Sequence, residues 1–96
     1  MAITTTEALL AFHKKLTNEA HELMEIKNKD YGALNIDPFR NFRQFGRLGI
    51  LIRMSDKLAR LRTFLERGEF SVKDEGVRDT VRDVINYAVL FEAYDG

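Results

Sequence analysis

Four polar side chains, Glu75, Asp79, Asp83 and Asn86, fall on one line of what reads as a single helix from Val72 to Tyr94. Positions three and four apart share a helical face. Val77, Val81, Val84, Ala88 and Phe91 therefore form an apolar stripe on the other side, with Thr80 and Tyr87 at its edge. From Ile85 onward the segment turns apolar nearly all round, and Leu90 sits directly beyond Asn86 on the polar line. An all-round apolar segment is normally buried all round, so the acidic line is expected to face a cleft or another subunit.

A second group with chemical potential is FRNFRQFGRLG. Phe39, Phe42 and Phe45 recur every three residues, interleaved with Arg40 and Arg43 and followed by Arg47. The phenylalanines are expected to pack inward, which lines the arginines along an adjoining edge. That edge is either a solvated basic rim or an anion or phosphate clamp, since arginine offers a fixed fork of donors. Glu19, Glu22 and Glu25, spaced by three, read as a solvated face paired with Lys15 and Lys29. Asp56 has Arg60 at i+4 and Arg53 at i−3 as ion-pair partners.

The elements that must hold these groups are three helices. Thr4 to Glu7 has capping-box form and opens the first, which ends near Lys29. Its inner face is Leu9, Phe12, Leu16, Ala20, Leu23 and Lys27. Gly32 and Pro38 interrupt the helical pattern, and Asp37-Pro38 has the form of an N-cap followed by a first-turn proline. Gly46 and Gly49 predict a break before a second helix over Ile50 to Arg67, with the stripe Leu51, Met54, Leu58, Leu61 and Leu65. Gly68 closes it, and Ser71 or Asp74 opens the third. No segment alternates with period two. The expected fold is all-α: one domain, a small bundle of three main helices with a short helical or irregular connection around residues 33–49, completed by oligomerisation.

The 96 residues suit a single small domain, and 45% hydrophobic with 31% charged residues is a globular composition. Fifteen basic residues balance fifteen acidic ones, which argues against nonspecific nucleic-acid binding. With no cysteine there are no disulfides, thiolate zinc sites or cysteine nucleophiles, a usage that fits a reducing compartment. His13 and His21 are too far apart along one helix to share a metal as an i, i+4 pair does. The N-terminus lacks the pattern of a signal peptide and no apolar run reaches membrane-span length, so a cytoplasmic protein is expected.

Four ordered stretches carry a resemblance: KNKDYG (27–32), DPFRNFRQFG (37–46), RMSDKLARL (53–61) and DEGVRDTVRDVINYAVL (74–90). Together they resemble the small, largely phage-borne helical domains associated with nucleotide modification, which are loosely similar to the MazG-like all-α nucleotide pyrophosphohydrolases. The resemblance implies an oligomeric nucleotide-handling domain with magnesium held by helix carboxylates. MazG-like enzymes carry EExxE and, on a later helix, ExxD. Here the first helix has Glu19, Glu22 and Glu25 as ExxExxE, and the last has Glu75 and Asp79 four apart.

Under that reading Asp79 and Asp83, at i and i+4, point at one site, and Glu22, Asp30 or Asp56 completes a magnesium-binding set. Lys29, Arg43, Arg53 and Lys57 are the candidates to offset phosphate charge, Tyr31 to stack on a base, and Asn86 to hydrogen-bond a base or ribose. Two other readings stay open. One is a noncatalytic module that binds a free or signalling nucleotide or docks on a host protein. The other makes Asp79, Asp83 and nearby arginines an inter-subunit ion-pair network with no ligand.

Overall fold

The computed structural model describes residues 2–30, 37–68 and 75–96. Three helices make up the fold: α1 (Thr6–Asp30), α2 (Arg47–Glu66) and α3 (Glu75–Ala93). Among the described residues there is no strand. The arrangement is an all-α bundle in which α3 is central. It packs against both α1 and α2, and the backbones of α1 and α2 do not approach one another.

The helix ends follow local chemistry. At the start of α1 the Thr5 hydroxyl accepts from the Ala8 amide at 3.1 Å. The cap is therefore Thr5, one residue later than the Thr4–Glu7 pattern suggests. Between the helices, residues 38–46 form consecutive turns, not a regular helix. Asp37 Oδ1 accepts from the Phe39 amide at 3.0 Å, which is the expected capping role carried out on a turn. The break before α2 falls at Gly46 alone. Its φ of 61° and ψ of −145° lie in a region that is essentially glycine-only. Gly49 is inside α2, which starts three residues earlier than the sequence suggests. The C-terminal end of α2 is closed by Gly68 at φ 67°, whose amide donates to Leu65 O.

The core is small: Ala20, Ile50, Val77, Thr80 and Tyr94 are buried. Thr80 satisfies its hydroxyl on Gly76 O at 2.6 Å. Every residue of α3 from Val81 to Tyr87 is half-buried, because α1 flanks it on one side and α2 on another. The expected all-round burial from Ile85 onward is thus displaced toward the middle of the helix, and Ala88, Val89 and Phe91 are exposed. Tyr94 is the exception at that end. Its ring meets Phe39 edge-on at a centroid distance of 5.4 Å.

The stripe expected on α2 divides in two. Met54 and Leu61 are half-buried, whereas Leu51, Leu58 and Leu65 face outward. In α1 all residues from Thr6 to Lys15 are exposed, Leu9 and Phe12 included, since the helix runs on beyond its contact with α3. Of the three phenylalanines expected to pack inward, Phe39 and Phe42 are half-buried and Phe45 is 65% exposed.

Candidate functional site

Charged groups from all three helices converge at Asp83. It projects from the middle of α3, on the polar line, and its side chain is only 15% exposed. Lys27, from the last turn of α1, donates to Oδ1 at 3.1 Å. Lys57, from the middle of α2, lies 3.0 Å from Oδ2. One carboxylate thus joins two helices whose backbones do not approach one another. Burial alone would push this carboxyl up, but hydrogen bonds from Lys57 and Lys27 outweigh it and hold it below the usual carboxylate range.

Two further contacts fix α3 against α1 nearby. Asn86 Nδ2 donates to Ala20 O at 3.0 Å, and Arg82 is hydrogen-bonded to Glu19. The Arg82 bond, first of all, keeps the Glu19 carboxyl below its ordinary range. This pair gives one member to each of two open depressions. One, of about 380 Å³, is lined by Glu75, Arg78, Asp79 and Arg82. The other, of about 560 Å³, is lined by Ala11, Lys14, Lys15, Asn18, Glu19 and Glu22.

The expected site residues separate into groups. Lys57, Asp83 and Asn86 come together at the α1–α3–α2 junction. Asp79 is exposed in one depression and Glu22 in the other. Lys29, Arg53 and Asp56 are exposed on their helices, and Asp56 takes part in none of the ion pairs formed among the described residues. Tyr31 and the Asp30 side chain lie outside the described residues, as do Ser71 and Asp74.

The exposed arginines of the connection bond groups of this chain. Arg43 Nε and Nη2 bond the two Asp37 oxygens at 2.8 and 3.0 Å, and Nη1 bonds Asp95 at 2.9 Å. Its guanidinium also lies over the Phe39 and Tyr94 rings at 5.4 and 5.1 Å. The Arg43 bond holds the Asp37 and Asp95 carboxyls below their usual range. Arg47 spends its fork on the carbonyls of Phe91 and Tyr94, at 3.0 and 2.5 Å. Both arginines tie residues 91–95 to the connection.

Magnesium fits poorly on the protein groups as they stand. Both Asp83 oxygens are occupied by ammonium groups, and among the described residues no three of His, Cys, Asp and Glu cluster closely enough to hold an ion. Asp83 is ion-paired with two lysines of its own chain. Lys27 was not among the expected site residues. Its signal was present: it is the one charged residue on the inner stripe of the first helix, and a cation there needs a partner.

Fold and junction together define a small all-α domain with a cation–carboxylate–cation bridge at its centre. Residues 27–91, which include all three members of that bridge, match the family described as nucleotide modification associated domain 1, and the chain belongs to that family. Neither the curated proteins nor the solved structures gave a match. Among the described residues no helix is long and apolar enough to cross a membrane.

Proposed function

We propose that this protein handles a nucleotide as a homo-oligomer, with Lys27 and Lys57 presenting the phosphate-recognising charge. The observation that carries the proposal is the meeting of two lysines from separate helices on the half-buried Asp83, inside the stretch that matches a nucleotide-associated family. An anionic phosphate competes with Asp83 for the same ammonium groups. Lysine suits this exchange, being a compact charge on a flexible stem. Exposed Lys29 and Arg53 flank as additional cations, with Tyr31 as the stacking candidate and Asn86 as the candidate for a base or ribose contact.

Magnesium enters this reading as a counter-ion of the nucleotide phosphates, where it keeps most of its waters. The solvent-facing carboxylates of Asp79, Asp56 and Glu22 are the ones open to it. Pyrophosphohydrolysis, the activity implied by the MazG-like resemblance, is the more specific form of the proposal. Binding without hydrolysis is the second reading, and the occupation of both Asp83 oxygens by lysines favours it.

Thermal shift with nucleoside mono-, di- and triphosphates, each with and without magnesium, tests the proposal. A ligand at one hundred times its Kd stabilises the folded state by about 2.7 kcal/mol. Wild type should show that gain with at least one nucleotide, and Lys57→Met should lose it while remaining folded by circular dichroism. Assay of released phosphate and pyrophosphate then separates the two readings. No stabilisation by any nucleotide, or wild-type binding by Lys57→Met, defeats the proposal.

A further inference from the structure

α2 carries a second apolar surface that is exposed among the described residues. Leu48, Leu51, Ser55, Leu58, Arg62 and Leu65 follow one another at spacings of three, four, three, four and three. That is the seam spacing of a coiled coil. The four leucines are between 48 and 63% exposed. They lie beside the inward face formed by Ile50, Met54 and Leu61, so the helix shows apolar surface on two adjoining sides, of which α3 covers one.

The whole chain shows the same incompleteness. A folded monomer of 11.1 kDa exposes about 5,700 Å², whereas this one exposes 7451 Å². Its radius of gyration is 15.2 Å, against about 12.5 Å for a compact domain of this length. The excess of roughly 1,800 Å² per chain exceeds the ~800 Å² per partner of a standard interface and falls in the range of obligate homodimers.

We infer that the α2 seam pairs with the α2 seam of a second copy of this chain, the two helices running antiparallel about a twofold axis. This rests on the oligomer named in the proposal above and adds the surface through which it forms. Direction follows from the two polar seam positions. A parallel pair would stack Arg62 on its own copy within the seam, a like-charge clash. The antiparallel pair sets Leu48 against Leu65, Leu51 against Arg62 and Ser55 against Leu58, so each polar residue faces a leucine. The arginine stem then covers apolar surface while its head reaches water. The contact is isologous and closes at two copies.

Light scattering at micromolar concentration, combined with cysteine cross-linking, tests the inference. Wild type should have twice the chain mass. Leu58→Glu should reduce it to the single chain, while Arg60→Glu, at an exposed residue on the side of the helix away from the seam, should leave it doubled. The chain has no cysteine, so introduced ones report without background. Leu48→Cys mixed with Leu65→Cys should give an oxidised heterodimer, and Leu48→Cys alone should not cross-link. The cross-linking decides the matter even if Leu58→Glu fails to fold. A monomeric wild type overturns both the oligomer and the seam. A doubled mass that survives Leu58→Glu, or a mixture that does not cross-link, overturns the seam and leaves the oligomer to another face, such as that of Leu9 and Phe12. Neither result bears on nucleotide binding, which is read separately by thermal shift.

Discussion

Replacing Asp83 with asparagine gives the sharpest test of how the three helices are held. The substitution keeps side-chain volume and removes the charge that both lysines share. Lys57 and Asp83 are 23 and 15% exposed, and Lys27 is 52% exposed. An exposed pair is worth about 0–1 kcal/mol, and removing one partner of a fully buried pair costs about 3–5 kcal/mol. The Lys57 pair lies between these limits and the Lys27 pair near the lower one, so Asp83→Asn should cost roughly 2–3 kcal/mol in total. Urea denaturation of the ligand-free protein at neutral pH measures it directly.

The pH dependence adds a second signature. Asp83 has a folded-state pKa below its unfolded value, so its contribution is fully present above the unfolded pKa, about 3.9, and is lost as pH falls through the folded one. The gap between wild type and Asp83→Asn should therefore be constant at neutral pH and close in acid. A metal-binding carboxylate relieved of repulsion gives the opposite sign. A ligand-free Asp83→Asn protein as stable as wild type, or more stable, refutes the structural reasoning.

Gly46→Ala should destabilise by about 1–3 kcal/mol through backbone strain alone, since the nearest atom to the added Cβ is Tyr94 Oη at an ordinary 3.6 Å; thermal melting checks this. Gly49→Ala, inside α2, gains about 0.8–1.0 kcal/mol of helix propensity against a tight 3.4 Å approach to Phe45 Cβ, so it should be near neutral in the same assay. Arg47→Lys should cost about 1–2 kcal/mol, because an ammonium cannot span the Phe91 and Tyr94 carbonyls together; quenching of tyrosine fluorescence should rise as Tyr94 loosens. Glu19→Gln should weaken α1 docking by about 1 kcal/mol and raise amide exchange in α1 above that in α2.

Much of this architecture was legible from spacing. The three helices, the Gly68 stop and the polar line of α3 all follow from period and capping chemistry. The misreadings share a cause. Thr4 and Thr5 are chemically equivalent caps, and the helix uses the second. Gly46 and Gly49 look alike in sequence, but only one is placed at positive φ. The α2 stripe appeared continuous because a pattern counts apolar faces without saying which neighbour covers each. The pairing of Asp83 with a lysine 56 residues away carries no local signal beyond a cation on an apolar stripe. Arg43 illustrates the converse: its suitability for anions is legible from residue type, but its pairing with Asp37 and with Asp95, 52 residues away, is not.

Because α3 alone contacts both other helices, the order of assembly is constrained. α2 and α3 are neighbours in sequence and pack on each other, whereas α1 must find α3 across most of the chain. Local contacts form fastest. The α2–α3 pair should therefore form first, with α1 docking afterwards. In φ-value terms, Ile50 and Thr80 should report early structure and Ala20 late structure. Undocking of α1 is then the lowest-energy opening of the native state, a partial unfolding that exposes the Asp83 carboxylate without melting the α2–α3 pair beneath it.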